Sequence, residues 1–369
     1  MNRNVANSAL LAIATMLVVN TTAPAAAADA QSRSTLQNAC FAASELAARP
    51  GEELPRKGDR RFDRTEPHRE LRSFAAVPPH LRGAIRSVKL PAGQKLIALT
   101  LDLCEQPGEV SGYDGRIVDY LRSEGVKATL FVGGKWLVSH ETRSRQLMSD
   151  PLFEIANHAA GHRNLRGLSG NRLVEEIAAP QRAYEAVRER FAAEQCVTAA
   201  PAAFDRIPQR MALFRFPYGA CNQASLDAVN DAGLLAVQWN LSTGDPWPGQ
   251  SAKAIARAVL QGVKPGAILI GHANGRGYHM AEALPLFIPK LKAEGYRFVT
   301  VSELLAAGAP EVASTCYNAR PGDTDRYDNL LAALGRGGTA KPSAGPANGA
   351  SGWAPIVKPN APRRSGART

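Results

Sequence analysis

Between Leu90 and Ala307 the sequence predicts an α/β layer or barrel, and three observations carry that expectation. Segments that read as strands alternate with segments that read as helices, the pattern of strands joined by crossover helices. The run Lys95 to Leu103 is almost continuously apolar, as expected of a strand buried on both faces. Strand after strand also ends on a polar residue, beginning with Asp102, and strand ends are where barrel active sites are usually assembled.

The elements follow in order. After Lys95–Leu103 come a helix over Gly115–Glu124, a strand over Ala128–Val132 and a helical stretch near Trp136. The strand Phe153–Ala156 then delivers Asn157 and His158. His158 and His162 lie four residues apart. On a helical turn they would share one face, so that two neutral imidazoles converge on one ion and leave its other positions open. Leu213–Gly219 reads as a strand that Pro217 and Gly219 break into a loop, holding the Tyr218 backbone in the open. Leu235–Leu241 is the next strand, followed by Ser242 to Trp247. A helix over Ala252–Gln261, a strand over Ala267–Ile270 ending at Gly271-His272, a helix over Met280–Glu294 and a strand over Phe298–Val301 complete the series.

The flanks differ in kind. Met1 to Ala28 has one cation, Arg3, an apolar run from Ala9 to Val19 and a small-residue close at Ala26-Ala27-Ala28, the plan of a secretory signal peptide. No later segment is apolar for long enough to cross a membrane, so an exported protein, periplasmic or extracellular, is expected. Residues 29–89 form a polar, Pro/Arg-rich N-terminal extension, with a short helix at Thr35–Ala48 and an exposed charged stretch at Arg56–Arg61. The domain spans 90–310, and 311–369 is a C-terminal segment, disordered beyond Arg336 where large apolar residues give way to Gly, Pro, Ser and Arg.

Composition is that of a folded chain, 45% hydrophobic and 21% charged. The net charge of +11 favours anionic surroundings such as glycan, lipid head groups or cell wall. Nucleic acid is not expected, because export and the lack of a basic run interleaved with aromatics argue against it. The five cysteines, Cys40, Cys104, Cys196, Cys221 and Cys316, allow at most two bridges and leave one thiol. Cys196 with Cys221, flanking one predicted strand, is the pairing expected.

Taken together, Thr100-Leu101-Asp102, Asn157-His158 with His162, Arg215-Phe216-Pro217-Tyr218, Asp245-Pro246-Trp247 and Leu269-Ile270-Gly271-His272 resemble the five ordered motifs of the polysaccharide deacetylases. These are metal-dependent carbohydrate esterases that include chitin and peptidoglycan deacetylases. The resemblance covers Leu90 to Ala307 and neither flank. It implies a distorted (β/α)7 barrel that hydrolyses acetyl groups from a glycan polymer with a divalent metal, usually zinc. It further implies Asp102 as general base, Arg215 pairing with it, His272 as general acid oriented by Asp245, and His158 and His162 as metal ligands. The Tyr218 backbone N–H would stabilise the oxyanion, Trp247 would wall the groove and Leu269 would line the acetyl pocket.

The chain departs from the family pattern in ways that bear on the chemistry. The usual first motif has two consecutive aspartates, the second a metal ligand, and here Leu103 stands in that second place. A third ligand must come from elsewhere: water or Asp102 itself first, Glu105 second, Cys104 third, although a Cys-His-His set would suit zinc. Ser242 stands where an aspartate is frequent, Pro246 displaces Trp247 by one place, and Ala159 replaces a small hydroxyl residue. Two functions follow: an exported metal-dependent deacetylase of N-acetylhexosamine in a polysaccharide, or a non-catalytic glycan-binding module that lost its metal at Leu103. Subsite selection is expected in the loops Gln106–Asp114 and Ala193–Gln209.

Overall fold

The computed structural model describes residues 36–63 and 74–328. The expected signal peptide, residue 35 and the tail beyond Arg336 lie outside the described residues, and the single helix expected over Thr35–Ala48 is broken by extended backbone at Ala42, with its second part at Ala43–Leu46. Ten strands form one curled sheet: β1 Ala84–Lys89, β2 Leu96–Leu103, β3 Ala128–Val132, β4 Phe153–Asn157, β5 Leu213–Phe214, β6 Leu235–Val237, β7 Leu241–Ser242, β8 Ile268–His272, β9 Arg297–Phe298 and β10 Ala309–Ala313. Their order is β10-β1-β6-β5-β4-β3-β2-β8-β7, with β9 also paired to β2. Every pairing is parallel except the edge pair β10–β1. The run 235–242 links β6, third from one end of that order, to β7 at the other end. Its first residues pair with β1 and β5, and Leu241-Ser242 pairs with Leu269-Ile270 of β8, curling the sheet into the distorted α/β barrel the sequence predicts.

Alternation along β2 sorts its side chains into two layers, because successive residues of a strand point to opposite faces. Ile97, Leu99, Leu101 and Leu103 are fully buried in the outer core with Ile117, Leu121, Trp136, Leu284 and Phe287 of the covering helices. Ala98 joins Phe131, Ala156, Val237, Trp239, Ile268 and Ile270 in the inner core. Burial of each such Leu or Ile is worth about 1.5–3 kcal/mol, so the outer leucines fix the register and thereby aim the inner residues. The long helix Met280–Ala293 shows the matching pattern, burying Ala283, Leu284, Phe287, Ile288 and Leu291.

Both flanks belong to the packed structure. β1 lies in the stretch expected to be N-terminal extension, and five of its six residues are buried. Arg56-Lys57 pair antiparallel with Glu109-Val110. Arg143, nearly buried, donates to Glu52 at 2.6 Å and to the carbonyls of Glu45, Leu46 and Ala47. The disulfides are Cys40–Cys196 and Cys221–Cys316, and Cys104 is the free thiol. Two bridges and one thiol match the count, but the Cys196–Cys221 pairing does not. Each of these cysteines instead ties the barrel to one flank.

Candidate active site

The site is built at the strand ends. Thr100 and Asp102 follow Ala98 on the inner face of β2. Arg215, just past β5, is fully buried and donates to Thr100 Oγ1 at 2.7 Å and Asp102 Oδ1 at 2.8 Å. Its remaining N–H groups reach the carbonyls of Val237 and Gln238, and the Phe131 ring lies 3.9 Å away. Burial lowers the Arg215 pKa, and the Asp102 carboxylate opposes that shift. A guanidinium committed on this scale fixes the carboxylate in one orientation. The expected Asp102–Arg215 pair is therefore present.

His158 and His162 do come together, with ring centroids 5.0 Å apart, but not on a helical turn. His158 follows the last residue of β4, and the chain then folds through a loop in which Ala159 and His162 have positive φ of 64° and 52°. The loop is held by Asn157, whose Oδ1 accepts from the Ala159 N–H at 2.9 Å. His158 Nδ1 lies 3.0 Å from the Arg215 carbonyl oxygen, which only an N–H can satisfy, so in the neutral imidazole Nε2 carries the lone pair. That Nε2 faces Cys104 Sγ at 3.4 Å and Asp102 Oδ2 at 3.5 Å. His162 Nδ1 is buried with no hydrogen-bond partner among the described residues.

The third-ligand candidates are now distinguishable. Glu105 turns away: it is fully buried between Lys135 Nζ at 3.0 Å and the Ser111 N–H at 2.9 Å, so it is already occupied as the anion of an internal ion pair. Leu103 points to the outer core, while Cys104 continues the inner face and lines the cleft. Cys104, His158 and His162 each bring a ligand atom within 4.8 Å of the others. Burial pushes the Cys104 thiol up, but the imidazoles of His162 and His158 outweigh it and hold it well below the usual thiol range.

Across the cleft, His272 stands at the end of β8. Its Nδ1 lies 3.1 Å from Asp245 Oδ1, and its backbone N–H donates to Asp245 Oδ2 at 2.7 Å. Thr243 Oγ1 donates to the same carboxylate at 2.8 Å. Burial opposes protonation of His272, but Asp245 and the Cys104 sulfur outweigh it and raise its pKa well above the ordinary histidine value.

Asp102, Cys104, His162, Tyr218 and His272 line one cleft of about 390 Å³. Tyr218 has φ 61°, its hydroxyl accepts from Gln106 Nε2 at 2.7 Å, and burial pushes its pKa up to about 12. Two expected lining residues are displaced. Leu269 is fully buried in the outer core, and its neighbour Ile270 faces the cleft. The Trp247 ring packs over Gly249 instead of lining the cleft, where Pro246 and Pro248 take its place and the indole is that of Trp239. Gly219 is required there, because a Cβ would lie 2.7 Å from that indole.

Of the two expected subsite loops, Gln106 lines the cleft, but Val197, Phe204 and Ile207 of the other loop are buried in the outer core. Sequence reasoning missed Asn318 and Tyr327, which line the cleft from the segment beyond the family motifs. Asn318 accepts from Trp239 Nε1 at 3.0 Å, and Tyr327 packs 5.2 Å from Tyr218. The cysteine at 316 was the available signal for this segment, since its bridge to Cys221 brings both residues to the strand ends.

Comparison with known proteins agrees with this geometry. Residues 89–237 match the family described as polysaccharide deacetylase. A peptidoglycan-N-acetylglucosamine deacetylase of Bacillus cereus is 30% identical over 59% of this chain and 91% of that protein. The peptidoglycan-N-acetylglucosamine deacetylase PgdA of Listeria monocytogenes is 27% identical, and the match spans 61% of this chain and 42% of that protein. A chitooligosaccharide deacetylase of Azorhizobium caulinodans is 25% identical over 57% of this chain and 95% of that protein. Among solved structures, a mutant of a CE4 family pseudoenzyme from Bacillus anthracis has the same fold, with a TM-score of 0.50 at 24% identity, covering 61% of this chain and 71% of that one. By class, then, the protein is a hydrolase acting on carbon–nitrogen bonds other than peptide bonds. The chain belongs to the polysaccharide deacetylase family.

Proposed function

We propose that this chain is an exported, metal-dependent deacetylase acting on N-acetylhexosamine units of a polysaccharide, with peptidoglycan as the leading substrate. The observation that carries the reading is a cleft with two separately oriented proton carriers, Asp102 held by Arg215 and His272 held by Asp245. Peptidoglycan is favoured by the names of the Bacillus and Listeria relatives, and the Azorhizobium relative keeps chitin-like oligosaccharides as the next candidate. Export is supported by the leader-like residues 1–28 and by two disulfides, which persist in oxidising compartments.

His158 and His162 would hold a divalent cation, zinc being the metal proposed. The residues fit that group: one imidazole offers a lone pair on Nε2, and the other has a buried nitrogen without a partner among the described residues. When bound, the cation supplies Lewis-acid polarisation of the acetyl carbonyl and makes water a nucleophile near neutral pH. Asp102 takes the proton of the attacking water, and Arg215 keeps the carboxylate aimed for that transfer. The Tyr218 N–H stabilises the tetrahedral oxyanion, its backbone turned by the positive φ. His272, with Nδ1 held by Asp245, protonates the departing amine through Nε2. Ile270 and Trp239 supply the apolar surface against the acetyl methyl and the sugar.

The test is acetate release by the mature protein from peptidoglycan and chitooligosaccharides, with and without chelator. Asp102→Asn should cost on the order of 10²–10⁴ in kcat, the usual worth of a general base. No release on either polymer after zinc and cobalt are supplied would sink the hydrolytic reading and leave a glycan-binding module.

A further inference from the structure

The first-motif position that the family fills with a metal-binding carboxylate holds Leu103 here, yet the structure places another donor beside the two imidazoles. β2 stays paired with β3 through Leu103, which sits opposite Val132. That extra step of strand sends residue 103 outward and residue 104 inward, beside Asp102. We infer that the Cys104 thiolate is the third protein ligand of the cation, completing a Cys-His-His set with His158 and His162. The inference rests on the metal-dependent reading of the site and assigns the donor that the reading leaves open.

Five observations carry it. Cys104 Sγ faces the lone pair of His158 Nε2 at 3.4 Å, the atom freed for a ligand by the Arg215 carbonyl at Nδ1. Tetrahedral zinc bonds of about 2.3 Å to sulfur and about 2.0–2.1 Å to nitrogen set those two atoms about 3.6 Å apart, close to that spacing. His162 brings the third donor within 4.8 Å of the others. Of the competing carboxylates, Glu105 faces Lys135, and Asp102 has Oδ1 bonded to Arg215 while its Oδ2 lies 3.5 Å from His158 Nε2, no nearer than the sulfur. Cys104 also lines the cleft, so an ion has a path to it. The four other cysteines are consumed in bridges, which leaves this thiol without a disulfide partner in its own chain.

The substitution changes what the site selects. A thiolate is a soft donor, so a Cys-His-His set prefers zinc and cobalt(II) over magnesium, manganese and calcium, which favour oxygen. It also differs from a carboxylate in leaving a spectroscopic mark, since sulfur bound to cobalt(II) gives a charge-transfer absorption in the near ultraviolet.

The experiment is titration of the full mature chain with cobalt(II), read by absorption and by metal stoichiometry, with zinc K-edge absorption of the wild-type protein as a measurement that needs no variant. The expected result is one cobalt per chain with a sulfur charge-transfer band, and one sulfur in the first shell of zinc. Cys104→Asp should bind cobalt without the band, and Cys104→Ser should lose at least tenfold in affinity, both with unchanged circular dichroism. Cobalt bound by wild type with no sulfur band and no sulfur at zinc would overturn the inference. So would an acetyl thioester on Cys104 trapped during turnover, which would make the thiol a nucleophile. Acetate release is scored separately: a sulfur band without release removes the proposed activity and keeps the ligand set, and release without sulfur does the reverse.

Discussion

At the scale of single residues, the alternation of the two strands that meet at the cleft decides what each side chain can do. Asp102 on one strand with Cys104 just past its end, and Ile270 and His272 on the other, share the inner face, and Leu103 and Leu269 share the outer. Leu269→Ala should therefore cost about 2–5 kcal/mol in urea denaturation with little change in KM, whereas Ile270→Ala should act mainly on KM. The reverse assignment would return the acetyl pocket to Leu269. Arg215→Met leaves Asp102 buried without its partner and should destabilise by about 3–5 kcal/mol, measured by the same denaturation. His140 gives a test in pH. It stacks on Trp136 at 4.6 Å, and burial lowers its pKa from 6.5 to about 3. Between those values the unfolded chain binds a proton that the folded chain refuses. The penalty is absent above 6.5, grows as pH falls, and is complete near 3, at up to about 1.4 kcal/mol per pH unit. His140→Phe should flatten the acid slope of stability relative to wild type, and parallel slopes would refute the assignment.

At the scale of elements, the strands and helices were legible because their apolar periods are strong. Ala128–Val132 lies where the apolar run placed it, and β2 begins within a residue of its expected start. The His158–His162 pair was legible as a pair, but not its backbone, since spacing alone does not separate a helical turn from a loop with two positive-φ residues. Trp247 and Trp239 were equally indistinct: each follows a short strand, and only packing reveals which indole meets Gly219. The C-terminal wall was illegible because its contacts are long-range. Arg86 of β1 holds it through the Tyr317 and Asn318 carbonyls, and Arg166 pairs with Asp325. Tyr327→Ala should remove an aromatic face from the cleft at a cost of about 1 kcal/mol, roughly a fivefold rise in KM with kcat nearly unchanged. An unaltered KM would confine the segment to a structural role.

At the scale of the whole molecule, the barrel is not separable from its flanks. The segment before β1 contributes a disulfide, the Glu52–Arg143 ion pair and the short ladder to Glu109-Val110. Deleting residues 29–63 should lower the melting temperature of the mature protein, and an unchanged melt would mean that these contacts add nothing. The two bridges close loops of 156 and 95 residues in sequence separation, each worth on the order of 5 kcal/mol in the chain-entropy account. Reduction should accordingly lower the denaturation midpoint, and Cys221→Ser with Cys316→Ser should also raise KM by loosening the wall that carries Asn318 and Tyr327.

If the protein is exported as proposed, the Cys221–Cys316 bridge would bear on when the cleft is completed. It clasps the cleft wall beside Gly219 and Trp239, and it forms only where thiols are oxidised. In the exported protein we propose, a chain still in a reducing interior would carry its base, acid and imidazoles behind an unfastened wall. Sugar precursors made there would meet an unfinished catalyst, and oxidation after secretion would be the event that arms it.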